Sequence, residues 1–435
     1  MPAASVQRRY HYIRLSWLAA LLAFLVGCAI NPVTGKKQFI IMSESQERAI
    51  GKQYYPIYTQ ASYGLFQDDN LQEYVNRVGQ TLAQLSHRPN LDYEFNVVNS
   101  SIVNAYALPG GKISITRGLL SRMENEAQLA AVLGHEITHV AAMHTAQGYT
   151  RSVAANLLLS LGQYYLEAKN VKYREYYATA GALAANLIFL KYSRNQEREA
   201  DKYGMEYLIQ AGYNPEGMVQ TMEILQSLSK KEPSKLETMF SSHPLPSERV
   251  EAAKASIPPQ HKGLPFKQEG FKNKTAHLNS LSKAYEHYDK GNELANKEKF
   301  DEAAVELEAA AKLAPKEALI HTTLAAAYLG QQRYDDALAT LKHSLSLYPD
   351  LFLTRLLGGL VYHETEKFNA SIEELKVADR LVPDNLTVVF YLGRNYEEKG
   401  DRRTAADYYQ KVLKLTDKGE KAKYAYQRLV EWGYI

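Results

Sequence analysis

The residues with the clearest capacity for chemistry lie in Gly134-His135-Glu136-Ile137-Thr138-His139, within a stretch that reads as a helix starting near Met123. In a helix, His135 and His139 stand about 40° apart around the axis and one turn along it, so both imidazoles reach a single ion. Glu136, beside them, has a carboxylate placed to take a proton from a water that the ion makes more acidic. The chain holds one cysteine, Cys28, which excludes an internal disulfide, a thiolate cluster and a Cys-x-x-Cys redox pair. The ion, read as one Zn2+ per chain, must therefore be held by His, Asp or Glu. Ala142 and Thr145 stand where a metzincin carries Gly and His, which removes that class. His144 projects about 140° around the helix from His139 and reads as structural. A carboxylate further along fits better. Glu197-Arg198-Glu199-Ala200-Asp201 falls in a second helical stretch, with Glu197 and Asp201 on one face at i and i+4. Glu197 can complete the metal site, and Asp201 can accept the free ring N–H of a ligating histidine. Glu199 faces roughly the opposite side. A solvated charged face, near Arg194, Arg198 and Lys202, is the competing reading of these carboxylates.

The elements that must position these groups are mostly helical. Ser43 and Gln46 form a capping-box start, and residues 44–86 read as mostly helix. Residues 95–98 and 112–116 read as the two strands of a hairpin, the second following the Pro109-Gly110-Gly111 turn. An extended substrate peptide could add to Ile113, Ser114 and Ile115 as another strand; an interior strand is the competing reading. Helices resume near Leu119 and continue to about Ser256, and residues 257–275, with Pro258, Pro259, Pro265, Gly263 and Gly270, read as a linker. Beyond it the chain repeats itself every 34 residues: Pro315, Pro349 and Pro383; Gly291, Ala325, Gly359 and Gly393; Ala303, Ala337, Ser371 and Ala405. A plain helical bundle carries no such period. The pattern resembles tetratricopeptide repeats, four of them at 284–317, 318–351, 352–385 and 386–419, with a capping helix after them. Stacked helix pairs form a groove suited to a protein or peptide partner.

Composition and the N-terminus bound the setting. With 435 residues, 46% hydrophobic and 23% charged, the chain is of folded globular type and long enough for two or three domains. Arg8, Arg9 and Arg14 precede an apolar run at 15–26, too short to span a bilayer and suited to a signal-peptide core. These arginines account for the whole net charge of +3, so no basic surplus remains to suggest a nucleic-acid partner. Leu25-Val26-Gly27-Cys28 resembles a bacterial lipobox, which makes Cys28 the expected lipid attachment point; a free cysteine after an uncleaved anchor is the alternative. Ala29, rather than Asp, favours the outer membrane by the same resemblance. The longest uncharged apolar stretch further on, 176–190, suits a buried helix better than a membrane span.

His135-Glu136-x-x-His139 with Glu197-x-x-x-Asp201 resembles the gluzincin family of CAAX prenyl proteases and bacterial heat-shock membrane proteases. Asn104-Ala105-Tyr106-Ala107-Leu108-Pro109-Gly110-Gly111, and Ser242-His243-Pro244 followed by Arg249, are similar to that family too. The repeats resemble its periplasmic, beta-barrel assembly-enhancing branch, here in a lipoprotein form. The resemblance implies a mainly α chain: signal peptide at 1–27, zinc endopeptidase domain at 28–256, linker at 257–275 and repeat domain at 276–435. It implies His135, His139 and Glu197 as zinc ligands, with Glu136 as general base. It places His243 at the mouth of the site, either stabilising the oxyanion or occupying the fourth zinc position and holding the enzyme shut. Arg249 would aid the oxyanion or hold the loop by an ion pair. The implied substrates are misfolded or misassembled envelope polypeptides, with the repeats recruiting them or the outer-membrane assembly machinery. A chaperone or adaptor acting mainly through the repeats is the alternative.

Overall fold

The computed structural model describes residues 28–151, 191–245 and 247–435; the expected signal peptide and the expected buried helix at 176–190 lie outside them. Among the described residues no helix is long and apolar enough to cross a membrane. The chain is mainly helical, with its small sheets near the N-terminus and a long run of paired helices after them.

A short antiparallel ribbon, β1 (Cys28–Ile30) and β2 (Lys37–Phe39), opens the fold. Helix α1 (Glu44–Ala61) starts on the Ser43/Gln46 capping box, as its sequence predicts. It stops where Tyr63 and Gly64 turn to positive φ, and α2 (Asp69–Gln84) restarts under the Asp68 cap. The main sheet has β3 (Glu94–Val98), β4 (Ala105–Leu108) and β5 (Lys112–Thr116) in the order β3, β5, β4. This corrects the expected hairpin. β5 pairs parallel to β3, and the hairpin is β4–β5, closed by Gly110 and Gly111 at φ 77° and 89°. These backbone angles cost glycine little and an L side chain much. The topology also corrects the expected substrate strand. Ile113, Ser114 and Ile115 are fully buried in the central strand, whose two edges are already paired, so no peptide can add there.

After the short α3 (Arg117–Leu120), helix α4 (Glu126–Ala141) carries the His-Glu-x-x-His segment, starting at the Asn125 cap. It is buried on nearly all sides by α2, the sheet, α5 (Arg194–Gln210) and α6 (Glu216–Lys231). The α4–α5 crossing depends on two glycines. A Cβ on Gly204 would stand 2.9 Å from the His135 nitrogen, and one on Gly134 would stand 3.0 Å from the Gly204 oxygen. This close approach brings the histidines of α4 against the carboxylates of α5. Helices α7 (Pro233–Ser242) and α8 (Ser247–Ser256) close the site from the other side.

The segment expected to be a linker is strapped onto the first domain. Asn214 donates to the carbonyls of Lys262 and Leu264, Ala127 N–H donates to Phe266, and Phe271 of α9 (Gln268–Lys274) is fully buried near Tyr74. Its aromatic residues outweigh its prolines and glycines. After α10 (Ala276–Ser280) the helices pair as α11 (Ser282–Asn296) with α12 (Phe300–Leu313), α13 (Ala318–Gly330) with α14 (Tyr334–Leu347), α15 (Phe352–Glu364) with α16 (Phe368–Leu381), and α17 (Leu386–Glu398) with α18 (Arg402–Leu415); α19 (Gly419–Glu431) follows. The repeated small residues have a packing cause. A Cβ at Gly291, Gly359 or Gly393 would stand 2.5–2.7 Å from Leu307, Leu375 or Tyr409 of the partner helix. The repeats also dock on the first domain, with the Arg117 guanidinium 3.3 Å over the Tyr285 ring and Gln60 accepting from Phe352 N–H at 3.0 Å. One continuous core runs from Phe66 to Val361.

Because the α4–α5 contact is backbone on backbone, Gly204→Val is expected to cost about 1–3 kcal/mol by overpacking and to lower the metal content of the purified protein. Thermal denaturation and metal analysis check this; an unchanged melting temperature with full metal loading would contradict it.

Candidate metal centre

His135 and His139 face one another across one turn of α4, their Nε2 atoms 3.1 Å apart. Glu197, at the start of α5, closes the third side, with carboxylate oxygens 3.7 Å from His135 Nε2 and 3.4 Å from His139 Nε2. His243 arrives from the C-terminal end of α7, its Nδ1 3.1 Å from Glu197 Oε1. One donor atom from each of these four residues lies within 4.8 Å of the others, so a His/His/Glu/His cluster able to hold a metal ion is in place. Two imidazoles and a carboxylate are the donor chemistry of catalytic zinc sites. The outer ring nitrogens of His135 and His139 are both occupied, which turns both Nε2 atoms inward toward one point.

These outer partners fix each ring. His135 Nδ1 lies 3.1 Å from Asp201 Oδ1, so the α5 carboxylate one turn beyond Glu197 meets a histidine of the cluster. His139 Nδ1 lies 3.0 Å from His144 Nδ1, and His144 Nε2 lies 3.2 Å from Glu199 Oε2. With His139 donating from Nδ1 and His144 donating from Nε2 to Glu199, every group is satisfied and His139 Nε2 keeps its lone pair for a metal. Helical projection of the sequence missed this pair. α4 ends at Ala141, and Met143 sits at φ 59°, so the chain turns and brings His144 back beneath His139. Tyr192 was missed as well; its ring stacks on His139 at 3.7 Å between centroids. No spacing rule marks a residue 53 positions beyond the ring it covers.

Arg249 of α8 binds the two carboxylates together. Its Nε and one terminal nitrogen donate to Asp201 at 2.7 Å each, and its other terminal nitrogen donates to Glu197 at 2.5 Å and to the Pro244 carbonyl at 2.6 Å. Burial alone would raise Glu197, but His243, His139 and His135 outweigh it and hold this carboxyl well below its usual range. Asp201 is held low in the same way, with His135 and Arg249 overcoming its burial. Burial pushes His139 well below its usual value, toward the neutral ring that ligates metals. Burial also pushes Glu136 upward, against His243 and His135. Glu136 Oε2 is buried with no hydrogen-bond partner, and its Oε1 lies 3.8 Å from His243 Nε2. For His243, burial is outweighed by Glu197 and Glu136, which hold it above the ordinary histidine value.

If the His144–Glu199 pair sets the His139 ring, His144→Ala is expected to weaken zinc binding by about 10–100-fold. Competition against a chromophoric chelator measures this; retention equal to the parent protein would show that His144 only fills space.

Comparison with known proteins bears on this geometry. Residues 69–257 match peptidase family M48, and residues 294–352 match a tetratricopeptide repeat family. The beta-barrel assembly-enhancing protease of Yersinia pestis is 28% identical over 234 residues, covering 51% of this chain and 46% of the relative. That of Escherichia coli K12 is 27% identical over 235 residues, covering 53% and 48%. The mitochondrial metalloendopeptidase OMA1 of Arabidopsis thaliana is 34% identical over 163 residues, covering 37% and 31%. The chain thus spans about half the length of the beta-barrel assembly-enhancing proteases it matches. Residues 69–257 therefore belong to the M48 metalloprotease family, as a domain fused to tetratricopeptide repeats in a chain resembling the beta-barrel assembly-enhancing proteases.

Proposed function

We propose that this chain is a zinc-dependent endopeptidase of the bacterial cell envelope, held closed by His243 in the arrangement described. The observation that carries the reading is the unpartnered, buried Glu136 carboxylate oxygen beside the cluster of His135, His139 and Glu197. These three residues would hold the ion, which when bound supplies Lewis acidity toward a water and toward the scissile carbonyl. Glu136 takes the proton of the attacking water and returns it to the leaving amine. Its buried Oε2, which has no other hydrogen-bond partner, is free to accept that proton and to hand it on. Asp201 and His144 hold the ligand rings in orientation. Arg249 spends its donors on Asp201, Glu197 and the Pro244 carbonyl, which favours the loop-holding role over direct contact with an oxyanion. An extended substrate has the edge strand β4, packed beside α4, as a place to lie.

His243 is the gate. Lying against Glu197 and near Glu136, it takes the position of a fourth donor, and a catalytic zinc needs one exchangeable position. Turnover requires His243 to swing away, after which it is free to serve the oxyanion from the site's mouth. The similarity to beta-barrel assembly-enhancing proteases supports misfolded or misassembled envelope proteins as substrates, with the repeats as the recruiting surface. Lipid attachment at Cys28 would hold the protein on the periplasmic face of the outer membrane. A chaperone or adaptor role through the repeats is the second reading, favoured by the closed position of His243.

Glu136→Gln is expected to keep zinc while casein cleavage falls by about 10²–10⁴-fold; unchanged cleavage would remove Glu136 from the chemistry. His243→Ala is expected to raise cleavage, and the gate fails if cleavage is unaltered or lost. Zinc binding without cleavage in both forms would favour the adaptor. Cys28→Ser is expected to move the protein from the membrane fraction to the soluble one, and retention in membranes would refute the anchor.

A further inference from the structure

Beside His135 and Glu136 lies a small cavity of about 50 Å³ whose outer walls are apolar and whose inner end is closed by Asp201, His243 and Arg249 of the metal centre. One wall is rigid: Met218, Met222 and Leu225 of α6 are buried to within 5% of full burial. The opposite wall is half-buried and consists of Met239 and Phe240 at the end of α7 and Leu245 just beyond it. His243 stands between those last residues, and its backbone N–H is bonded to the Met239 carbonyl at 2.6 Å. Wall and gate are therefore one piece of chain.

The two ends of α7 are held differently. Its first half is pinned by fully buried Leu236, by the Lys235 carbonyl accepting from Val103 N–H at 3.0 Å, and by Lys235 paired with Asp289 of the first repeat helix at 2.8 Å. Its other end is looser only at Met239 and Phe240, which are half-buried; beyond them the Ser242 carbonyl accepts from Tyr192 N–H at 3.1 Å and the Pro244 carbonyl accepts from Arg249 at 2.6 Å, so the chain that moves is the turn between α7 and those two anchors. Size then decides what entry of a side chain does. A cavity of roughly 150 Å³ accepts a six-carbon ring, so a four-carbon leucine side chain needs roughly 100 Å³, about twice the space present. The rigid wall cannot yield without disturbing the core, whereas the half-buried wall can, and methionine adapts readily to new shapes.

We infer that an apolar substrate side chain flanking the scissile bond is the key to the gate: on entering this pocket it displaces Met239 and Phe240, and His243 moves with them off Glu197. An acidic side chain would lose its hydration among the apolar walls and meet Glu136 and Asp201, with Arg249 already engaged by Asp201 and Glu197, and so leaves the gate closed. The protease would thus select the apolar segments that unfolded proteins expose, and would open only when one is in place. This inference rests on the proposed zinc endopeptidase with His243 as its gate.

The test uses two peptides that differ only at that position, Leu against Asp. In the zinc-loaded Glu136→Gln protein with isotope-labelled histidine and methionine, the Leu peptide is expected to shift the NMR signals of Met222 and His243 together, and the Asp peptide to shift neither. In turnover, the wild-type chain is expected to prefer Leu by about tenfold or more, and His243→Ala to lose most of that preference by cleaving the Asp peptide faster. Movement of Met222 with His243 unmoved would overturn the coupling. Absence of any Met222 shift with the Leu peptide would overturn the pocket. The proposed activity fails separately, if neither wild type nor His243→Ala cleaves either peptide or casein.

Discussion

The structure depends on burying carboxylates at the crossing of α4 and α5. Glu197 is fully buried and Asp201 nearly so, and a desolvated carboxylate left alone costs several kcal/mol even after relaxation. The fold offsets that cost with Arg249, whose planar fork serves both carboxylates, and with the imidazoles of His135, His139 and His243. Glu136, Glu197 and Asp201 can carry three negative charges against one on Arg249, and a divalent cation would balance the remainder. The same Arg249 reaches the Pro244 carbonyl, so the loop bearing His243 is fastened to the charge balance of the site.

The glycine crossing and the charge cluster are one constraint in two forms. Only because Gly134 and Gly204 lack side chains can α5 approach closely enough for Glu197 to face both imidazoles of α4. Each histidine then needs an outer partner to hold its ring, and two different solutions appear: a direct carboxylate on His135, and a histidine backed by a carboxylate on His139. The second extends the network to Glu199, which is nearer the surface, while Tyr192 covers the His139 ring and keeps that side dry.

The sequence was most legible where chemistry and periodicity coincide. The i, i+4 spacings of His135 with His139 and of Glu197 with Asp201 are helix geometry, and both pairs meet in the cluster or against it. The 34-residue period is likewise a packing rule, since Gly291, Gly359 and Gly393 sit where a partner helix leaves no room for a Cβ. Legibility ended where the backbone departs from a regular element. Met143 in the left-handed region carries His144 away from its helical projection, and it is this departure that places it under His139. Strand order is hidden for a related reason: alternation identifies a strand but not its neighbours, so the sequence pairs β5 with β3 as a hairpin, whereas β4 lies between them in sequence and forms the hairpin with β5. Residues 257–275 read as a linker from their prolines and glycines, although Phe266 and Phe271 carry the contacts that strap them down.

The repeats and the metal centre share one core rather than hanging as separate beads. Lys235 joins the base of α7 to Asp289 of the first repeat helix, so the element that ends in His243 is braced from the repeat side. If His135, His139 and Glu197 hold zinc while His243 closes the site, X-ray absorption at the zinc edge of the loaded wild-type and His243→Ala proteins will show it: zinc is expected to be retained in both, with one histidine fewer around the ion in the variant. An unchanged histidine count, or loss of the zinc together with His243, would contradict it.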